Sequence, residues 1–206
     1  MRLDEFLTWE HHLKLTEKKV SSAIFALNRV KNTLPLHIRK LVYNSLIKSH
    51  IEYGIIAYGG CNKKDLKRLI NLQKRAVRIV ALKSRSEHTD PLYGKFEILK
   101  LEDLYSLNGG VFMYKYLNSR LPESFNGLFK LLSEPNRTRS FRLEKPKHRH
   151  LEKFPKVTLP ANWNNLSLGF KTAQSLNSFK TLFKSKCFMT YKAFTCQKDA
   201  CHSCNK

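Results

Sequence analysis

Apolar residues recur along most of this chain at helical spacing. Leu13, Val20, Ile24, Leu27 and Val30 follow one another at steps of three, four and seven, which predicts a first helix opened by Thr8 and closed near Asn32 and Thr33. Pro35 suits a first-turn position and predicts a second helix through about His50, with Leu41, Val42, Ser45 and Leu46 facing inward. Gly54, Gly59 and Gly60 bound a short apolar connector, YGIIAYGG. Its Tyr53 and Tyr58 have two readings, stacking on bases or burial in a core.

The segment from Asn62 to Leu82 is the most polarised. Wound at about 100° per residue, Lys63, Lys64, Lys67, Arg68, Lys74, Arg75 and Arg78 share one arc of roughly 140°. Leu66, Leu69, Ile70, Leu72, Ala76, Val77, Ile79 and Val80 fill the rest, and Asn62 is placed to cap the helix. One side is built for burial and the other for anions. After a turn through SEHTDPLY, Leu101–Leu117 reads as a helix with an aromatic side of Tyr105, Phe112 and Tyr116. Gly109 and Gly110 within it predict close packing or a kink. Pro122 opens a shorter expected helix to about Leu132. The last amphipathic helix is expected from Ser175, as cap, to about Met189, with Leu176, Phe179, Leu182 and Phe183 as its apolar side and Trp163 packed on the helical core.

No stretch of useful length alternates as a strand would. The predicted class is therefore all-α: a small helical bundle over 1–132, a basic extended linker over 133–160, and a C-terminal helical extension with a cysteine-rich tail over 161–206.

Composition adds a partner to this picture. The 206 residues carry 38 Lys+Arg against 16 Asp+Glu, a formal net charge of +22 and a pI near 10.0. Such an excess points to a polyanion, and a phosphate backbone fits best. Half of the excess lies in residues 133–206. Between Pro135 and Lys156 stand Arg137, Arg139, Arg142, Lys145, Lys147, Arg149, Lys153 and Lys156 with three prolines, which predicts an extended, mobile, phosphate-seeking segment. No apolar stretch reaches the ~20 residues of a membrane-spanning helix, and Asp4 and Glu5 stand where a secretory signal would be basic. The expected location is intracellular, nuclear or cytoplasmic. Five cysteines, an odd number, do not form a secreted disulfide frame.

Other chemistry is sparse. Cys196, Cys201, His202 and Cys204 supply the ligand count for tetrahedral zinc, with Cys201-x-x-Cys204 as a knuckle-like half; the competing reading is a frayed tail. Cys187 reads as an apolar helix residue, and His11 and His12 as surface or capping groups. The paired glycines lack the strand and the following Lys-Ser/Thr of a phosphate loop.

Seven segments stand in one order: RLDEFLTWEHHL, LVYNSLIKSHIEYGIIAYGG, NLQKRAVRIV, HTDPLYGKFEILKLEDL, VFMYKYLNSRLPESFN, NRTRSFRL, and WNNL followed by SLNSFKTLFK. Their order resembles the region after the palm in reverse transcriptases of LINE-type non-LTR retrotransposons, from Arg2 to about Lys192. The resemblance implies a helical thumb gripping a template and primer duplex of RNA or DNA, followed by a C-terminal extension. It also implies a parent RNA-directed DNA polymerase that uses magnesium held by palm aspartates. Here the chain departs from the family. Its aspartates, Asp4, Asp65, Asp90, Asp103 and Asp199, are scattered, and the neighbouring Glu102 and Asp103 suit a helix first turn instead. With Met1 falling just after the expected end of the palm, the reading is a fragment of a transposon open reading frame: not an enzyme alone, and complemented by a palm and fingers in another chain or upstream. The alternative is a domesticated or decayed basic module that binds an acidic protein or a membrane surface.

Overall fold

The computed structural model describes residues 8–132, 139–146 and 148–193, and for Arg149 and His150 the backbone alone. The protein is all-α, with no β-strand among the described residues. In chain order the helices are α1 Glu10–Val30, α2 Leu36–Val42, a π-helical stretch Tyr43–Lys48, α3 Ser49–Glu52, α4 Ile55–Tyr58, α5 Lys63–Val80, α6 Asp90–Phe96, α7 Leu101–Leu117, α8 Pro155–Asn164, α9 Leu168–Lys171 and α10 Leu176–Lys192, with 3-10 turns at Glu123–Phe125 and Arg149–Lys153.

The helices group into two compact units that are discontinuous in sequence. The first takes residues 1–54, 61–101 and 186–206, and the second takes 55–60 and 102–185. A linear division into 1–132, 133–160 and 161–206 cuts across the second of them.

In the first unit α1 packs along α5. Leu13, Val20, Ile24 and Leu27 are buried as their spacing predicts, while Val30 is exposed. Thr8 Oγ1 accepts the Glu10 N–H at 3.4 Å, and Trp9 occupies the cap position in a left-handed conformation with φ 63°. His12 is buried rather than at the surface, between Trp9 and Tyr53.

The second predicted helix is a run from Leu36 to Glu52 with a π-helical middle, where the Ser49 N–H reaches the Asn44 carbonyl five residues back. This widened turn keeps one row of residues facing in. On a regular helix, positions four apart drift by about 40° per step. Across the π segment Arg39, Tyr43, Ile47 and Ile51 are all buried instead, whereas the expected inward residues Leu41, Ser45 and Leu46 are exposed and Val42 is half-buried.

Two buried polar side chains tie the first unit together. The Arg39 guanidinium donates to the carbonyls of Val80, Lys31 and Leu34 at 2.9, 3.1 and 2.7 Å, so one fork serves the C-terminal ends of both α1 and α5. Gln73, in the middle of α5, serves the start of α7 with its amide oxygen.

In the second unit the backbones approach closely at glycine. A Cβ on Gly109 would stand 2.8 Å from Leu159, and one on Gly110 would stand 2.7 Å from the Phe179 ring. Close packing, not a kink, is what the glycine pair provides, since α7 runs through both. Trp163 is buried and stacks on Phe179 at 5.9 Å between ring centroids. Along α10 the buried positions are Phe179 and Phe183 in this unit and Cys187 and Tyr191 in the first, each four residues on, and Leu182 falls outside that stripe and is exposed.

Two expectations for the middle of the chain are corrected. Pro122 opens only the 3-10 turn Glu123–Phe125, because Gly127 at φ 75° turns the chain away at once. The basic segment is not a freely extended arm over its described length. Ser140 and Phe141 are buried, and Leu131 and Phe141 form an isolated antiparallel bridge. The Phe141 N–H and carbonyl both pair with the Asn164 side-chain amide at 2.9 and 2.8 Å, and Trp163 Nε1 donates to the Arg139 carbonyl at 2.8 Å. Residues of NRTRSFRL therefore rest on residues of WNNL. Lys171, buried and with its pKa pushed down by desolvation, adds bonds to Ser140 Oγ and the Asn164 carbonyl. The segment ends earlier than residue 160, since Pro155 starts α8 at a position where a proline costs the helix no hydrogen bond.

Candidate nucleic-acid interface

The basic arc of α5 is where the sequence places it. Lys63, Lys64, Lys67, Arg68 and Arg75 are exposed, and Lys74 and Arg78 are half-buried. The opposite side carries Leu66, Leu69, Ala76, Val77, Ile79 and Val80 into the core. Asn62 holds the cap position through its backbone, its carbonyl accepting the N–H groups of Asp65 and Leu66 at 3.0 and 3.2 Å; its side chain makes no cap bond.

Packing then sorts these cations into two groups. Arg68, Lys74, Arg75 and Arg78 line a cleft of about 930 Å³ between α5 and α1, while Lys63 and Lys67 do not line it. The cleft also recruits Lys31 from the end of α1 and Lys83 and Arg85 from the turn after α5. Those three were not in the predicted set. Lys83 and Arg85 lie beyond the helix, where a helical arc cannot reach them, and Lys31 belongs to a different element. Seven cations thus line one concavity with Glu17 as the single acid, and Ser21, Asn28 and Asn71 add neutral polar groups.

Arg78 has a structural task as well, since its Nε donates to the Glu87 carbonyl at 2.7 Å and so holds the turn that carries Lys83 and Arg85. Lys64 lines a smaller neighbouring hollow with Glu10, Lys14, Glu17, Asp65 and Arg68, where the charge signs are mixed. A cleft of the first kind can hold a polyanion through several charge-assisted contacts at once. The second kind cannot, because its acids offset its bases.

Among the basic residues expected to follow in the linker, Arg139, Arg142 and Lys145 are described with their side chains. Arg139 is half-buried and one guanidinium nitrogen donates to Asn118 Oδ1 at 3.4 Å; Arg142 and Lys145 are exposed. Arg137 and Lys147 lie outside the described residues, as does the side chain of Arg149. The zinc candidates Cys196, Cys201, His202 and Cys204 lie outside them too. Among the described residues no group of three or more His, Cys, Asp or Glu is placed to hold a metal ion.

Of the two aromatics of the connector Tyr58 is buried, and Tyr53 is exposed with its ring centroid 6.3 Å from that of His12. Among the described residues no helix is long and apolar enough to cross a membrane. Comparison with family models, with curated proteins and with solved structures finds no match.

Proposed function

We propose that this chain binds nucleic acid without regard to sequence, through phosphate contacts in the α1/α5 cleft. The observation that carries the reading is the charge of that cleft, seven cations against one carboxylate. Phosphate contacts position a backbone and carry no base information, so a site built of them has affinity without sequence preference. The ordered resemblance to the post-palm region of LINE-type reverse transcriptases supports a template–primer duplex as the physiological ligand, and makes the chain part of a polymerase reading frame. By itself the chain is not an enzyme in this proposal, because its aspartates are scattered and none forms the adjacent pair that holds polymerase metals.

Among duplexes of one backbone type and equal length, unrelated sequences should bind within a factor of about two of one another, with affinity falling steeply as salt rises. Strong discrimination among those sequences would overturn the reading. Competition by heparin that does not depend on duplex length would instead favour an acidic protein or lipid surface as the partner. Template, primer, nucleotides and magnesium or manganese should yield no extension by the purified chain.

A further inference from the structure

The odd member of the cleft is Glu17. It stands on α1 in one stripe with Ser21, Asn28 and Lys31, facing the cations of α5 across the concavity. An acid there works against phosphate binding, so charge alone gives no reason for it. Burial pushes its carboxyl up, and Arg68 and then Lys14 only partly offset that desolvation through their charge. No hydrogen bond from a described residue contributes to its state. In the open cleft, water can satisfy the half-buried carboxylate. A strand that enters and displaces this water has to replace the lost bonds, and a strand that cannot do so leaves a desolvated anion behind.

This rests on the nucleic-acid reading and adds a direction to it. The wall of α5 offers the cations Arg68, Lys74, Arg75 and Arg78 to the phosphates, whereas Glu17 on the α1 wall is an acceptor that the phosphates avoid. What faces Glu17 must therefore be a part of the nucleotide that donates. We propose that Glu17 is a specificity-determining residue of the cleft, whose carboxylate accepts a hydrogen bond from the ribose 2′-hydroxyl of the bound strand, a donor that every ribonucleotide carries whatever its base. Sites that hydrogen-bond a particular donor reject analogues lacking it, because their own polar group is then left unpaired.

Four 20-nucleotide probes separate sugar from base: oligo-rU, oligo-dU, oligo-rC and oligo-dC, where the sugar hydroxyl and the base vary independently. Binding to the full chain is measured by fluorescence anisotropy at fixed salt, with Glu17→Gln alongside. The native chain should prefer rU over dU and rC over dC by about ten-fold, and Glu17→Gln should reduce both preferences to about two-fold or less while raising affinity for the deoxy probes. Equal preferences in the two pairs assign the sugar hydroxyl, whereas a difference of about ten-fold between dC and dU that the ribose does not change would be base recognition and would overturn the proposal. If Glu17→Gln binds all four probes more tightly by one common factor, the carboxylate is only a repulsive charge and the proposal fails while nucleic-acid binding stands. If neither protein binds any probe or a duplex, the proposal fails together with the reading beneath it. Circular dichroism of Glu17→Gln checks that the fold is retained.

Discussion

Gln73 Oε1 accepts the backbone N–H of Leu101 at 2.9 Å, which joins the middle of α5 to the first turn of α7. The same oxygen accepts from the Tyr93 hydroxyl at 3.3 Å, and the amide nitrogen donates to Tyr43 Oη at 3.0 Å and to the Leu99 carbonyl at 2.9 Å. All four hydrogen-bonding positions of the amide are thereby used, in a residue with 1 % exposure. A helix N-terminus buried without a partner is costly, and here a side chain from another helix supplies the partner.

Gln73→Leu keeps the volume and removes all four bonds, leaving the Leu101 N–H, the Leu99 carbonyl and two tyrosine hydroxyls unsatisfied in the core. The expected loss is about 3 kcal/mol or more, read from the urea midpoint of the purified chain. An unchanged midpoint would show that this network contributes nothing to the fold.

Gln73 also marks the limit of what hydrophobic pattern conveys. It stands on α5 among Leu69, Ala76, Val77 and Val80, and a polar residue in an apolar stripe says only that something must pair with it. Its partners lie 20 to 30 residues away in sequence, which no local rule identifies. The same distinction separates the other outcomes. The limits of α5 and α7 were legible because each has a cap signal or a proline-free apolar period, and the basic arc of α5 followed from winding alone. The inward face of the second helix was not legible, because a charged residue, Arg39, leads it and the π-helical turn at Tyr43–Lys48 then keeps Tyr43, Ile47 and Ile51 on the same row. Of the cleft, the four cations on α5 could be read from sequence, but Lys31, Lys83 and Arg85 join it only through tertiary packing.

Two glycines in the second unit should respond in opposite directions. Gly110→Ala adds a good helix former to α7, yet its methyl would stand 2.7 Å from the fully buried Phe179 ring. Overpacking outweighs propensity there, and a net loss of about 1–3 kcal/mol is expected. Gly169 in α9 has nothing within 4 Å of a built Cβ. Gly169→Ala should therefore gain about 0.5–1 kcal/mol. Thermal midpoints of the two variants that moved the same way would contradict the packing described for α7 and α10.

His12 gives the fold a dependence on mild acid. Burial pushes its pKa below 6.5, with the charge of Lys19 acting the same way and a backbone hydrogen bond with Tyr53 opposing both. The folded chain therefore holds His12 neutral where the unfolded chain has begun to protonate it. Because the unfolded state binds the extra proton, this contribution is fully present above pH 6.5 and is lost as pH falls from there through the lower folded value. Unfolding free energy measured between pH 7.5 and 5 should fall toward acid, and the fall should be smaller in His12→Leu. Equal slopes in the two proteins would remove His12 as its source.

The division of the α5 cations into two groups predicts two different binding defects. Lys74, Arg75 and Lys83 line the cleft, whereas Lys63 and Lys67 share the helix face without lining it. Lys74→Gln, Arg75→Gln and Lys83→Gln together keep long side chains and leave Arg78 to hold its turn, so the fold should survive. If each of the three replaced cations neutralises one phosphate, the slope of log affinity against log salt should become shallower by about 2.7 on a duplex. Lys63→Gln with Lys67→Gln removes two charges that lie outside the concavity, and its slope should change by well under half as much. The comparison uses one duplex and one salt series, so total charge is nearly matched and position is what differs. Should both variants lose slope in simple proportion to the charges removed, the whole basic arc would be acting as a diffuse field and the cleft would have no special part. A large loss confined to the triple variant would place the phosphate backbone against the wall of α5 that faces Glu17.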